Sequence, residues 1–271
     1  MRILVKIGGA QLEERSARSE FALAARAARD AGHELVVVHG GGNQIRDLVR
    51  KLALVERYHD GLRVTDAATA DVVLQVLAGL VNKELVASLC AAGVRAAGAC
   101  GADGASFGAR RTIARDIDLG YVGTVASVDP ALATTLLRGG FTPVLATCAP
   151  LARGESGPDE HFYNINADLA VGPLAAALRA DAILFLTDVE GVRGADGARI
   201  AELDAQTCAA LRASGVLSGG MIPKVEAALT AHSLHPNALV KIAPAAGASS
   251  IERALSNATG TTFVQAVFTH G

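Results

Sequence analysis

Short runs of Val, Ile and Leu alternate with long alanine-rich runs along almost the whole chain. Several of the short runs lead directly into glycine. Residues 3–7, 34–38, 141–146, 182–186 and 238–242 have the length and composition of buried strands. Residues 16–31, about 43–52, 82–92, 130–138, 167–178, 204–213 and 221–232 have the length and periodicity of helices. Thr65-Asp66 caps a further helical stretch, and the chain closes with a helix and a strand near 261–264. Such alternation predicts an α/β fold, a mostly parallel sheet with helices on both faces. Residues 95–125 break the rhythm into short strands and glycine turns, as in a hairpin-bearing edge. Residues 154–158 read as a turn between two short strands. Pro173 removes a backbone donor inside residues 167–178, which predicts a kink or break near Gly172. There is no internal repeat or low-complexity linker, so two lobes, 1–165 and 166–271, are expected to meet at a soft boundary.

Composition narrows the function classes. Of 271 residues, 51% are hydrophobic and only 19% charged, with a formal net charge of −2. That balance carries no electrostatic footprint for nucleic acid or an anionic membrane. The apolar residues are dispersed, and no uninterrupted apolar stretch has the length of a membrane span. The first residues read into a strand with no signal-peptide pattern. Cys90, Cys100, Cys148 and Cys208 form no C-x-x-C pair, which suits buried thiols in a reduced, cytoplasmic protein.

In a parallel sheet ligands bind beyond the carboxyl ends of the strands, and polar motifs concentrate there. Lys6-Ile7-Gly8-Gly9 ends the first strand with a positive charge beside glycines that let N–H groups approach an oxyanion. A flexible turn with a solvated lysine is the plainer explanation. His39-Gly40-Gly41-Gly42 ends the second strand and opens a helix, whose free N–H groups make an anion cradle; His39 itself reads as structural. Arg63, in Gly61-Leu62-Arg63-Val64-Thr65-Asp66, offers a planar fork to a carboxylate. In Asn164-Ile165-Asn166-Ala167-Asp168, Asn166 suits a helix cap. Asp168 stands one turn in, where it can orient lysine ammonium groups. Thr187-Asp188-Val189-Glu190-Gly191-Val192 ends a later strand, positioned for a nucleotide's ribose and base. Gly219-Gly220-Met221-Ile222-Pro223-Lys224 sets a lysine in the first turn of a helix. The helix dipole disfavours a cation there, so Lys224 calls for an anionic ligand.

Gly104-Ala105-Ser106-Phe107-Gly108 fits the G-x-S-x-G pattern, and with the HGGG run it suggests an esterase. A nucleophile elbow needs a strand before the serine and a helix after it, whereas residues 109–113 are strand-like. An esterase also leaves Lys6 and the later motifs unused. His232 and His235 lack a third ligand and read as surface residues near a helix end.

Taken in order, K-x-G-G, HGGG, GLRVTD, N-x-N-A-D, L-T-D-V-x-G-V and G-G-M-x-P-K cover nearly the whole chain. This set resembles the amino-acid kinase superfamily, and GLRVTD with N-x-N-A-D resembles its acetylglutamate kinase family. The resemblance implies a three-layer αβα sandwich in two lobes, the first for acyl substrate and dimerisation, the second for ATP. It implies ATP-dependent phosphorylation of N-acetyl-L-glutamate in arginine biosynthesis, with Mg²⁺ held mainly by the ATP phosphates. Lys6 and Lys224 match the transition-state lysines, and Asp168 matches the aspartate that organises them. Gly41, Gly42, Arg63 and Asn164 match substrate contacts. Gly8, Gly9, Asp188, Val189, Gly191, Arg193 and Met221 match the nucleotide and phosphate site, with no metal ligand on the protein. A carboxylate acceptor is ionised at neutral pH, so this chemistry needs charge neutralisation and alignment but no general base. Lys6 falls in the acyl-substrate half and Lys224 in the nucleotide half, so lobe closure is expected to complete the site.

The resemblance leaves two alternatives: a kinase acting on aminoadipate or glutamate attached to an amino-group carrier protein, and a non-catalytic amino-acid sensor. Arg63 and Asn164 favour the free acetylated substrate. The presence of Lys6, Lys224 and Asp168 favours catalysis. Arginine-inhibited members of the family carry an extra helix before the first strand. The early position of Lys6 therefore gives the expectation of a homodimer not inhibited by arginine.

Overall fold

The computed structural model describes residues 1–59, 62–114 and 117–265. Gly61 of the GLRVTD motif and residues 266–271 of the second expected lobe lie outside the described residues. The first half contains strands β1 (Arg2–Ile7), β2 (Glu34–His39), β3 (Tyr58–His59), β4 (Leu62–Arg63), β5 (Ala96–Ala99), β6 (Phe107–Ala114) and β7 (Ile117–Val128). There follow β8 (Thr142–Ala146), β9 (Cys148–Ala149), β10 (Tyr163–Ile165), β11 (Ala182–Thr187), β12 (Glu202–Leu203), β13 (Leu239–Pro244) and β14 (Thr261–Phe263). Helices α1 (Ala10–Glu13), α2 (Arg15–Asp30), α3 (Gly42–Lys51), α4 (Ala67–Leu74) and α5 (Asn82–Ala91) belong to the first half. Next come α6 (Ala131–Arg138), α7 (Ala167–Leu178), α8 (Ala205–Ala213), α9 (Met221–Leu234) and α10 (Ser250–Leu255).

Eight strands form one sheet in the order β12-β14-β13-β11-β1-β2-β8-β5. Neighbours are parallel except β13 and β14. The strand β1 sits at the centre, bonded to β2 on one side and β11 on the other, so the two halves of the chain share one sheet. Side chains alternate between its faces. Ile3, Val5 and Ile7 enter one core with Phe21 of α2 and Leu85 of α5, while Leu4 enters the other with Leu174 of α7 and Ala228 of α9. Two cores, one on each face, make the three-layer αβα sandwich. The irregular stretch after residue 95 resolves into a long β6–β7 hairpin in a second sheet, ordered β6-β7-β10-β9.

Three expectations need correction. The helix α7 runs unbroken through Pro173. Ala170, Val171, Leu174, Ala175 and Leu178 are buried along it, and that burial offsets a missing backbone bond costing about 3 kcal/mol. The stretches before and after residue 82 are one continuous helix, because a π-helical segment, Gln75–Val81, joins α4 to α5. This helix, Ala67–Ala91, is long and apolar enough to cross a membrane by length and composition, with mean hydropathy 1.6. Its apolarity has another cause, since Val72, Val73, Val76, Leu77, Val81, Leu85 and Leu89 fill the core of the sandwich. Finally, Cys90 is exposed while the other three cysteines are buried, because α5 turns Leu85 and Leu89 inward and leaves Cys90 on its outer side.

A candidate active site shared by two clefts

The alternation along β1 that buries Leu4 beneath α7 directs Lys6 to the same face. The N-terminus of α7 lies there, capped by the Asn166 side chain, which accepts from the Asp168 N–H at 2.9 Å. Asp168 in that first turn meets Lys6 Nζ at 2.7 Å through one carboxylate oxygen. Its other oxygen lies 3.5 Å from Lys224 Nζ, supplied by the first turn of α9, which packs beside α7. Strand and helices thus bring together three residues separated by more than half the sequence. Burial holds the Lys6 ammonium below its ordinary pKa, partly offset by Asp168 and reinforced by Lys224. Burial pushes the Asp168 carboxyl up, but Lys6 and then Lys224 outweigh it, leaving the group below the usual carboxylate range. One carboxylate between two ammonium groups leaves a net positive charge facing the solvent-filled space.

That space is two clefts with a common wall. The larger, about 340 Å³, is lined by Lys6, Gly8, Gly9, Gly41, Gly42, Arg63, Asn164 and Asp168 among others. The smaller, about 110 Å³, is lined by Lys6, Gly8, Gly9, Gln11, Leu186, Thr187, Asp188 and Lys224. Gly9 adopts φ +57°, a left-handed conformation that favours glycine. At Gly8 a Cβ would stand 3.3 Å from Lys6 Nζ, so the bare backbone gives the ammonium room between the clefts.

In the larger cleft Arg63 is 7% exposed. It donates to Glu56 Oε1 at 2.8 Å and to the Gly42 carbonyl at 3.1 Å, and lies 4.8 Å above the Tyr58 ring. Glu56 also accepts from Tyr58 at 2.7 Å and lies near Arg50 at 3.7 Å and Arg46 at 3.9 Å. The Tyr58 hydrogen bond foremost, with Arg63 behind it, holds the Glu56 carboxyl below its usual range. Arg46 and Tyr58 line the cleft as well. Sequence inspection missed Glu56, Tyr58 and Arg46. Arg46 had a legible signal, one helical turn beyond Gly42. Glu56 and Tyr58 had none, because only the β3–β4 pairing of Tyr58 with Arg63 brings them to the site.

Val189, Gly191, Arg193 and Met221 line neither cleft. Arg193 is exposed and Val189 and Met221 are partly buried. Gly191 packs where a Cβ would stand 2.7 Å from Thr261 Oγ1. Ser106 is no nucleophile elbow: it follows a 3₁₀ turn, Asp103–Ala105, precedes strand β6, and donates to the Cys100 carbonyl at 3.1 Å. His232 and His235 are half-buried at the end of α9. Among the described residues no three His, Cys, Asp or Glu side chains gather to hold a metal ion. The Asp168 carboxylate is committed to Lys6 and Lys224.

The sandwich is mostly parallel, and its central strand carries a lysine between the two clefts. The chain matches the model of the Amino acid kinase family over residues 1–238 and belongs to that family. It is 42% identical over 227 residues to an acetylglutamate kinase of Koribacter versatilis, covering 84% of each chain. An acetylglutamate kinase of Allorhizobium ampelinum is 41% identical over 239 residues, covering 84% of this chain and 79% of the relative. Among solved structures, smu.665 from Streptococcus mutans superposes with a TM-score of 0.80 at 29% identity, over 97% of this chain and 98% of that one.

Proposed function

We propose that this chain transfers the γ-phosphoryl group of ATP to the side-chain carboxylate of N-acetyl-L-glutamate, giving N-acetylglutamyl 5-phosphate and ADP for arginine biosynthesis. The observation that carries this reading is Asp168 holding Lys6 and Lys224 where the two clefts meet. Identity of about 42% to acetylglutamate kinases supports the choice of acceptor.

In this reading the acceptor enters the larger cleft with one carboxylate on Arg63, beside Asn164. Its side-chain carboxylate faces the N–H groups of Gly41 and Gly42. ATP occupies the smaller cleft and the surface beyond it, where Asp188, Val189, Gly191, Arg193 and Met221 are the candidate contacts. A carboxylate oxygen attacks the γ-phosphorus, the bond to the β–γ bridging oxygen breaks, and ADP leaves with that electron pair. No proton moves, so the site works without a base. Two anions approach each other, and Lys6, Lys224 and the Gly8 and Gly9 backbone offset the charge on the transferring group. Magnesium, when bound to ATP, neutralises the phosphates. Asp168 keeps both ammonium groups aimed at the shared wall.

The same reading makes residues 1–165 the acceptor lobe and 166–271 the ATP lobe, places the enzyme in the cytoplasm where ATP is available, and makes it a homodimer. Leu80, 52% exposed on the long helix, supports pairing with a second copy. ADP release with N-acetylglutamate, glutamate, aspartate and N-acetylaminoadipate tests the function, with N-acetylglutamate expected to give the highest kcat/KM. ADP formation only with a carrier-protein-linked acceptor would overturn it.

A further inference from the structure

His39 is fully buried at the end of β2 and lines neither cleft. Its Nδ1 lies 2.9 Å from the carbonyl oxygen of Gly40, and its Nε2 lies 3.0 Å from Asn82 Nδ2. Asn82 is also fully buried, at the seam where the π-helical segment gives way to α5. The Asn82 Nδ2 atom donates to the Val144 carbonyl at 2.9 Å, and Oδ1 accepts from Lys83 Nζ at 3.1 Å. A carbonyl only accepts and an ammonium only donates, so the orientation of the Asn82 amide is determined from both ends. Its N–H therefore points at Nε2, which must present a lone pair. The single proton of the neutral ring then sits on Nδ1 and is donated to Gly40.

We infer that Asn82 is a positioning residue for the acceptor cradle: it fixes the tautomer of His39, and His39 fixes the Gly40–Gly41 peptide. The Gly40 carbonyl and the Gly41 N–H belong to one planar trans peptide and point in opposite directions. Holding the carbonyl against the imidazole turns the Gly41 N–H away from the ring. Neither the Gly41 nor the Gly42 N–H meets an acceptor among the described residues, so both are free for an anion in the larger cleft. Thr147 Oγ1 anchors the other side by donating to the His39 carbonyl at 3.2 Å. On β5, at the sheet edge beyond β8, a Cβ at Gly98 would fall 1.7 Å from Asn82 Oδ1, so only glycine leaves space for the amide. Burial, then the Lys83 charge, outweigh the Gly40 hydrogen bond and push the ring down to about 4. Among the described residues Lys83 is the charged group that acts on it. The ring is therefore neutral, with one tautomer, throughout the physiological range.

This inference rests on the acceptor site proposed above, and the test separates the two. Nitrogen-15 NMR of the full chain is expected to show His39 protonated on Nδ1 alone and not titrating between about pH 5 and 8. In Asn82→Asp a carboxylate faces Nε2, accepts only, and draws a proton onto that nitrogen. The ring then loses the fixed tautomer and titrates in the neutral range. KM for N-acetylglutamate is expected to rise about tenfold or more, with KM for ATP within about twofold, the size of one misaligned hydrogen bond. Gly98→Ala displaces the same amide from β5 and should reproduce the acceptor-KM effect if Asn82→Asp does not fold. A wild-type ring protonated on Nε2, or a folded Asn82→Asp with unchanged acceptor KM, would overturn the inference. A wild type that does not turn over N-acetylglutamate overturns the functional reading, and the NMR of the free protein still decides the tautomer.

Discussion

Replacing Asp168 with Asn would leave the buried Lys6 ammonium without its 2.7 Å counter-ion. Breaking a buried pair by removing one partner costs about 3 kcal/mol or more, so urea unfolding of Asp168→Asn should show a clear loss of stability. Its kcat should fall by about 10²-fold or more, the typical cost of one lost preorganised charge contact. Lys224 is 26% exposed at its side chain. Lys224→Ala should therefore lose a similar factor in kcat with little change in stability, and near-normal turnover would remove Lys224 from the site. The two lowered pKa values both make stability rise with pH, in separate windows, acid for Asp168 and alkaline for Lys6. The Asp168 pKa is depressed below 3.8, so its contribution to stability is fully present above that value and is lost as pH falls through the depressed one. The Lys6 pKa is lowered below 10.5, so the unfolded chain binds more protons between the two values. The Lys6 term therefore makes stability rise with pH across that window, and Lys6→Met should abolish the rise in denaturation curves recorded against pH. If charged Lys6 is needed for turnover, kcat should decline on an alkaline limb below pH 10.5.

At the scale of elements, the helix α4 is set by a side chain the sequence reveals. Asp66 accepts from the Thr69 N–H at 2.8 Å, and Asp66→Ala should cost about 1 kcal/mol, measured by chemical denaturation. The helix α7 behaves less as its sequence suggests. Its proline is tolerated because the helix is buried against the sheet and α9, so local propensity is overridden by packing. Pro173→Ala restores a backbone donor and should stabilise the fold by about 1–3 kcal/mol, seen as a higher urea midpoint. A lower midpoint would mean that the proline ring fills space that alanine does not. The outer side of the long α4–π–α5 helix makes a separate prediction. Leu80→Glu should shift sedimentation toward monomer if this surface pairs two copies.

At the scale of the whole molecule, β1 joins β2 and β11 in one sheet, and the catalytic candidates straddle that junction. If the proposed lobes close, the motion is expected to narrow the larger cleft onto Lys6 and the smaller onto Lys6 and Lys224. Small-angle scattering should show contraction when N-acetylglutamate and a non-hydrolysable ATP analogue are added together. Contraction with neither ligand would place the closed arrangement in the free protein already.

The sequence by itself determined the sandwich, the strand ends at which ligands meet the sheet, and the lysine and glycine motifs. These follow from local rules: strand and helix periodicity, the position of glycines after strands, and the cost of a lysine at a helix N-terminus. It also marked Asp168, through an acidic residue in the first turn after an Asn cap. Only the tertiary structure decided that Asp168 touches both lysines, because this depends on strand parity at Lys6 and on α7 packing beside α9. The same holds for Glu56 and Tyr58 around Arg63, for the second sheet built from β6, β7, β9 and β10, and for Asn82. No spacing in the sequence could relate Asn82 to His39, since the contact is made only when the first residue of α5 is folded against the end of β2. The pairing of two cations with one carboxylate, on which the phosphoryl-transfer reading rests, is a property of the packed fold.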